Sequence, residues 1–195
     1  FNTGNASLKG EYFCCSHGSF IYKSNCGLKT LDLIYSDFCN VQDIRPKIFG
    51  NYVIALKKGN EIYIFVDKYH IYNLFYAFKG DNFYVSSSIE DIVIGLDSLE
   101  INEFGLMQEA FQCGPIGNET FFKGVYRLQG YEFLLANTQN SLITKNKIPY
   151  SKKDYKYTSI DDAASVIASN IKTGYGLIRD AYGANIAINM TGGLD

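Results

Sequence analysis

The sequence predicts an α+β fold, with paired strands and short helices over the first 150 residues and a long helix and one more strand after them. Apolar strand-like runs come in pairs separated by Gly- and Asn-containing turns, which is typical of antiparallel hairpins. The last 40 residues instead repeat apolar positions at helical spacing and then end in a short apolar run. Of the 195 residues, 47% are hydrophobic, which is enough for a substantial core.

The first 30 residues carry two short apolar or aromatic runs, residues 12–15 and 19–22. Between them, Ser16 and Gly18 favour a turn, so we expect the two runs to pair across residues 16–18. Residues 31–39 fit a helix or a strand equally well.

The strand pattern is sharper further along the chain. Residues 52–56 and 61–67 are apolar at nearly every position, and a Gly-Asn pair between them can adopt the positive φ of a tight turn. Nearly continuous apolar strands are typical of a sheet that is covered on both faces. A second hairpin is predicted at residues 74–78 and 83–87.

Two short helices are predicted after these hairpins. The first spans residues 88–94, with a serine at its cap and acidic residues in its first turn. The second spans residues 102–112, because Phe104, Met107 and Phe111 recur at helical spacing and a Gly-Pro pair ends the pattern.

Two further strands and a linker close the first part of the chain. The strands are predicted at residues 131–136 and 141–145. Residues 147–157 are rich in Lys and Tyr and have no apolar period, which predicts a linker.

A long helix is predicted from Ser159 to about Tyr182. Ser159 is the expected cap, and an aspartate three residues later completes a capping-box pattern. Residues 185–190 are predicted to form a buried strand that runs directly into a Gly-Gly turn.

This turn is the motif that indicates chemistry, and it consists of Thr191, Gly192, Gly193, Leu194 and Asp195. Two consecutive glycines let the backbone approach a ligand and aim its N–H groups at an anion, and a helix beginning there adds partial positive charge. The Thr191 hydroxyl can donate to a phosphate oxygen, whereas Asp195 would hold a divalent cation that bridges phosphates. Taken alone, the five residues fit a plain strand–helix turn equally well.

Residues 188–195 resemble the pyrophosphate loop of asparagine synthetases, in which Ser-Gly-Gly-Leu-Asp-Ser follows a β-strand. Thr191 stands in place of the first Ser, and the chain stops before the last one.

Four upstream segments resemble other parts of this family, in its order and with its spacing. Residues 50–56 resemble its Gly-x-Phe-Ala-hydrophobic strand, and residues 66–76 resemble its Arg-Asp-x-x-Gly-x-x-Pro-Leu-Tyr-Tyr segment. Residues 83–90 are similar to Phe-Ala-Ser-Glu-Leu-Lys, and residues 120–128 to Thr-Leu-Phe-Lys-Gly-Ile-x-Lys-Leu. The resemblance extends from about residue 40 to the end of the chain.

The resemblance implies two domains. Residues 1–150 would form the family's glutamine amidotransferase-like lobe, which has an N-terminal-nucleophile hydrolase fold of two stacked antiparallel sheets between helices. Residues 158–195 would begin its ATP-binding domain, truncated after the first helix and strand of an α/β nucleotide-binding sheet. ATP and Mg²⁺ are the implied cofactors of the complete protein, with Asp195 as the metal ligand.

The expected lobe lacks the residues with which the family handles glutamine. The family's nucleophile is a Cys at the mature N-terminus, whereas this chain begins with Phe1, has no Asn-Gly-Glu segment and has its first arginine at Arg45. Processing before Cys14, Cys15 or Cys26 would create such an N-terminus, but small apolar residues in or beside a strand are the favoured interpretation. We therefore assign no catalytic residue and expect an inactive glutaminase.

Three functions remain open. The first is the N-terminal part of an ATP-dependent amide-forming ligase that adenylates a small-molecule or peptide carboxylate, with a degenerate glutaminase lobe as in β-lactam synthetases and lasso-peptide cyclases. The second is a glutamine-dependent asparagine synthetase whose nucleophile segment is missing or divergent. The third is a non-catalytic scaffold or interaction module.

Composition excludes several other classes. The net charge of −2 and the pI near 5.7 argue against a nucleic-acid partner. The sequence has no apolar run of 18 residues and no signal-peptide pattern, so we expect no membrane partner and a cytoplasmic location. The five cysteines lack a C-x-x-C pair, and with only two histidines they predict reduced thiols and no zinc site. A homo-oligomer is left open.

We expect the 195-residue chain to catalyse no ATP–pyrophosphate exchange, because the last loop Ser and the rest of the nucleotide-binding sheet are not in it. Incorporation of labelled pyrophosphate into ATP is the measurement, and any incorporation above the protein-free background would contradict the prediction.

Overall fold

The structure is a computed structural model that describes residues 4–9, 12–40, 44–96, 98–112, 116–130, 132–139, 143–147 and 157–183. Within these residues it contains antiparallel sheets and four α-helices, which confirms the predicted α+β class. The strands are β1 (Gly4–Lys9), β2 (Tyr12–Tyr22), β3 (Ile48–Lys58), β4 (Glu61–Val66), β5 (Phe75–Lys79), β6 (Asn82–Ser86), β7 (Val125–Arg127), β8 (Glu132–Asn137) and β9 (Ile143–Lys147). The helices are α1 (Leu28–Asn40), α2 (Ile89–Gly95), α3 (Glu103–Gln112) and α4 (Ile160–Tyr182), and Arg45–Lys47 form a short 3₁₀ helix.

The strands form two sheets. The larger sheet has the order β1-β2-β3-β4-β8-β9, and every neighbouring pair is antiparallel. The smaller sheet has the order β6-β5-β7 and is also antiparallel.

One face of the larger sheet packs against α1. Leu31 and Ile34 of this helix are fully buried, in one cluster with Ile54 and Leu56 of β3 and Phe65 of β4. Because successive residues of a strand point to opposite faces, the residues between these positions on β3 and β4 point away from α1.

The opposite face of the larger sheet packs against the smaller sheet. Val66 and Leu134 from the larger sheet share a buried cluster with Tyr76 of β5. The outer face of the smaller sheet packs in turn against α2, where Ala77 and Ile92 are buried together. The described residues therefore form four layers in the order helix, sheet, sheet, helix.

The two predicted hairpins are confirmed, and so are the predicted helices after them. β3 pairs with β4, and β5 pairs with β6, each across a two-residue turn that contains a glycine of positive φ. The Ser88 side chain accepts a hydrogen bond from the Asp91 N–H and so caps α2, as expected. The strands predicted near residues 131–136 and 141–145 correspond to β8 and β9.

The predicted turn at Gly18 is wrong. Residues 12–22 form one continuous strand, since β1 pairs with its first half and β3 with nearly all of it. Gly18 has a φ of 105°, but it does not form a turn. Its lack of a side chain lets β2 and β3 come close together, because a Cβ there would overlap the Asn51 carbonyl oxygen. Residues 31–39, which fitted helix or strand, belong to α1.

The backbone at Gly130, after β7, also lies very close to the backbone after β4. A Cβ on Gly130 would overlap the Lys68 carbonyl oxygen, so the chain after β7 crosses the end of β4 only because this residue has no side chain.

Substitution of Gly130 by Ala is expected to lower the free energy of unfolding by about 1–3 kcal/mol, because the new methyl group collides with backbone that cannot rotate away. Urea unfolding followed by circular dichroism measures this loss.

Gly176→Ala is the matched control, because Gly176 lies within α4 with open space around its Cβ position. Alanine there favours the helix by about 1 kcal/mol, so no loss of stability is expected. Equal unfolding midpoints for the two variants would contradict the steric argument.

Candidate functional site

The predicted phosphate loop lies outside the described residues. This applies to Thr191, Gly192, Gly193 and Asp195, and also to the strand predicted at residues 185–190. The structure describes the helix that leads to this loop and the lobe against which that helix rests.

Helix α4 begins and ends at well-defined caps. The Ser159 side chain accepts a hydrogen bond from the Asp162 N–H at 3.1 Å, as the capping-box pattern predicts. At the other end, Gly183 has a φ of 85°, and its N–H donates to the Arg179 carbonyl oxygen at 2.8 Å. This residue ends the helix.

The C-terminal half of α4 contacts the lobe. The Tyr182 hydroxyl donates to the Phe20 carbonyl oxygen at 3.4 Å, and the Cys26 thiol donates to the Ala181 carbonyl oxygen at 3.2 Å. Burial, and to a smaller extent Cys26, raises the pKa of Tyr182, so its hydroxyl stays a donor at neutral pH. No residue of α4 is fully buried, and Ile160, Ile167 and Ile171 in its first half are exposed.

Two of the three cysteines that were considered as processed nucleophiles, Cys14 and Cys15, lie in the first half of β2, and the third, Cys26, lies between β2 and α1. Cys14 is fully buried toward α1, opposite Leu56, whereas Cys15 lies on the other face, opposite Ala55. Burial, with smaller contributions from Cys15 and Asp32, raises the pKa of the Cys14 thiol to about 12. Burial also raises the pKa of Cys15, and a backbone hydrogen bond at Ala55 only partly offsets this. Both thiols are therefore protonated at neutral pH, as expected of packing residues.

The two histidines lie in different surroundings. The His17 ring lies on β2 with its centroid 4.9 Å from that of Tyr72. His70 follows β4 with a φ of 42°, and burial and the nearby Arg127 lower its pKa, against an opposing effect of Asp67. Across the described ranges, no three His, Cys, Asp or Glu side chains are grouped to hold a metal ion.

A buried carboxylate, which the sequence did not single out, fixes the loop after β4. Asp67 is 1% exposed, and its carboxylate accepts hydrogen bonds from the N–H groups of Tyr69, Ile71 and Tyr72 at 3.0–3.2 Å. The carboxylate thereby pairs three backbone donors of this loop. A signal was present in the sequence, since an acidic residue directly follows an apolar strand.

A second buried carboxylate, Glu132 at the start of β8, was also missed. Its Oε2 atom accepts hydrogen bonds from the Asn118 side chain and from the Gln129 N–H. Lys145 Nζ lies 3.3 Å from Oε1, close enough for an ion pair, but Oε1 receives no hydrogen bond of good geometry. Glu132 is the only charged residue in an otherwise apolar run at residues 131–136, and an acid is usually exposed, so the sequence carried no signal for its burial.

These two carboxylates join the layers and are not placed to act on a substrate. Asp67 and Glu132 are almost completely excluded from solvent, and each is already engaged by groups of the protein. Their role is therefore to fix the backbone around the end of the two sheets.

An open cavity of about 270 Å³ lies on the surface of the smaller sheet. It is lined by Phe78, Lys79, Leu96, Ser98, Lys123 and Gly124. Lys123 is paired with Glu100 at 3.0 Å, and Lys79 donates to the Gly95 carbonyl oxygen at 3.4 Å. Because both cations already have partners in the protein, the cavity is not an obvious anion site.

Comparison with known proteins leaves the family open. No protein-family model matches this chain, and a search of the curated proteins finds no match. None of the helices in the described part of the chain has both the length and the apolar character of a membrane span.

The protonated state of Cys14 has a measurable consequence. A rise of the pKa from its ordinary value of 9.0 to about 12 lowers the thiolate fraction at pH 8 by about 1,000-fold, so we expect iodoacetamide to alkylate Cys14 at least that much more slowly than an ordinary thiol. Peptide mass spectrometry after timed labelling measures the rate.

The same chain in concentrated urea is the control, because unfolding returns Cys14 to an ordinary environment. If Cys14 reacted equally fast in the native and the unfolded chain, it could not be a buried packing residue.

Proposed function

We propose that this chain is the N-terminal part of an asparagine synthetase-like, ATP-dependent amide-forming ligase that adenylates a carboxylate. In this proposal residues 1–150 are a glutamine amidotransferase-like lobe that has lost its glutamine chemistry and serves as a scaffold. The observation that carries the proposal is the four-layer arrangement of helix, sheet, sheet and helix, which is the architecture that the sequence resemblance implies.

The segments that carry the resemblance support the proposal by their positions. Residues 50–56 belong to β3, and residues 66–76 run from the end of β4 through the Asp67 loop into β5. Residues 83–90 cover β6 and the start of α2, and residues 120–128 include β7. These are core elements of the two packed sheets, where sequence is constrained most strongly by packing.

Individual residues of these segments also have defined roles in holding the backbone. Asp67 holds three N–H groups of its loop. Thr120 is 3% exposed, and its hydroxyl donates to the Val125 carbonyl oxygen at 2.8 Å and accepts from the Phe122 N–H at 3.1 Å. Gly124 has a φ of 75°, which favours glycine.

The proposed chemistry belongs to the loop after α4. ATP supplies the adenylyl group that activates the substrate carboxylate for attack by an amine. The N–H groups around Gly192 and Gly193 and the Thr191 hydroxyl would bind the pyrophosphate, and Asp195 would hold the Mg²⁺ that neutralises it. Helix α4 would orient this loop relative to the lobe through its contacts near Tyr182.

The degenerate glutaminase is supported by the surroundings of the thiols. A nucleophile of this class needs a free amine at its own residue, whereas Cys14 and Cys15 lie within a strand that has partners on both sides. Neither thiol therefore supplies such a nucleophile, and in the ligase proposal the attacking amine would come from the substrate.

The test uses the protein that the whole natural reading frame encodes. We expect it to catalyse carboxylate-dependent ATP–pyrophosphate exchange and to release no glutamate from glutamine. Asp195→Ala is expected to lower the exchange rate about 100-fold or more, because the metal bound there is worth several kcal/mol to the reaction.

Asp180→Ala is the matched control, because Asp180 is an exposed acid at the end of α4 whose only ion pair is with its neighbour Arg179 in the described part of the chain. The proposal would be refuted by an absence of exchange with every carboxylate tried, or by equal rates in the two variants. Glutamate release would point instead to the glutamine-dependent alternative.

A further inference from the structure

The last turn of α4 lies against an edge of the larger sheet, shortly before the predicted phosphate loop at Thr191. We propose that Tyr182 is a positioning residue that docks this turn on the lobe, and that ATP binding at the loop is coupled to the docking. The coupling rests on the proposed ligase function, because it needs ATP at the loop.

The edge on which α4 docks is the second half of β2. β1 pairs with β2 as far as His17, and beyond this residue the outer edge of β2 has no strand partner in the described part of the chain. Tyr22 pairs its backbone N–H and carbonyl groups with Asn25 on this side. Because alternate residues of a strand direct these groups to the same side, the Phe20 carbonyl faces the same open edge.

Two hydrogen bonds join this edge to the last turn of α4. The Tyr182 hydroxyl donates to the Phe20 carbonyl oxygen at 3.4 Å. In the other direction, the Cys26 thiol of the lobe donates to the Ala181 carbonyl oxygen at 3.2 Å. The last carbonyls of a helix have no partner within it, so this second bond also satisfies one of them.

One apolar contact accompanies these bonds about two turns earlier in the helix. The Cβ position of Gly174 lies 3.5 Å from the ring of Phe49 on β3, which is van der Waals contact. We call the contacts of Gly174, Ala181 and Tyr182 with the lobe the α4 joint. No residue of α4 is fully buried, so the joint is small, and the helix can leave the lobe without unfolding it.

A small joint of this kind has a docked and an undocked state, and a ligand that needs one state shifts the balance toward it. Gly183 ends α4 directly after Tyr182, so the position of this turn sets where the chain enters the predicted strand at residues 185–190. A misplacement of about 1 Å can cost about 100-fold in rate, so the loop needs a fixed starting point. If ATP binds to the loop as the docked helix places it, ATP must favour docking as much as docking favours ATP.

Cys26 reports the docked state, because α4 engages its thiol only when the last turn is in place. The thiol belongs to the lobe, between β2 and α1, and is partly exposed, so a reagent reaches it once the helix has left.

The first measurement is the rate at which iodoacetamide alkylates Cys26 in the 195-residue chain, followed by peptide mass spectrometry. Tyr182→Phe removes only the hydroxyl, and the loss of one such hydrogen bond changes an equilibrium about 3- to 10-fold. We therefore expect Cys26 to react about 3- to 10-fold faster in this variant.

Tyr175→Phe is the matched control. Tyr175 lies on the same helix and is 49% exposed, as Tyr182 is, but its hydroxyl has no hydrogen bond to any described residue. Its variant should react at the rate of the unmodified chain. Equal rates in the two variants would overturn the role of Tyr182.

The second measurement adds MgATP to the protein that the whole natural reading frame encodes. Because MgATP favours the docked state, we expect saturating MgATP to slow the alkylation of Cys26 by about 3-fold or more. Asp195→Ala should remove this effect, since the loop then binds MgATP poorly. A role of Tyr182 in helix stability alone would give no dependence on MgATP.

The outcomes separate the coupling from the ligase proposal. If the protein catalyses exchange but MgATP leaves the alkylation rate of Cys26 unchanged, the coupling is overturned and the ligase proposal stands. If there is neither exchange nor an effect of MgATP, while Tyr182→Phe still exposes Cys26, the ligase proposal and the coupling both fail and only the docking by Tyr182 stands.

Discussion

The rest of the structure depends on the burial of both faces of the larger sheet. Neighbouring residues of β3 point in opposite directions, and both are apolar: Ile54 packs toward α1, whereas Val53 packs toward the smaller sheet. A strand of this kind cannot leave either face in water without exposing a row of large side chains. The helix on one side and the second sheet on the other follow from this constraint, and the second sheet then needs α2 on its own outer face.

Two buried carboxylates fix the segments that connect the larger sheet to the smaller sheet. The chain must leave the larger sheet after β4, build the smaller sheet, and return at β8. Asp67 lies at the departure and Glu132 at the return, and each receives hydrogen bonds from the chain around it. Gly130 completes this crossing, because its lack of a side chain lets the returning backbone pass over Lys68. Polar groups at such positions orient the connections, while the apolar layers supply most of the stability.

In the proposed ligase the described lobe has a supporting role. Its central thiols are buried and protonated, and its buried acids are engaged within the fold. Its exposed large apolar side chains include Phe104 and Phe111 of α3 and Ile160 and Ile167 of α4. The proposed chemistry belongs to the loop after α4, and the lobe would support the helix that leads to this loop.

The sequence by itself determined those elements whose partners are close in the chain. The β3–β4 and β5–β6 hairpins, the Ser159 cap and the helical period of α4 depend on residues within a few positions of one another, so local pattern was sufficient. The loop from Thr191 to Asp195 was also found by local pattern, and its role stays a prediction because it lies outside the described residues. Only the tertiary structure decided that residues 12–22 form one strand, because strands on both sides satisfy its backbone. The tertiary structure alone also decided that Glu132 is buried and that Phe111 is exposed. The periodicity of a helix or strand shows which residues share a face, but it does not show whether that face packs against the protein or contacts solvent.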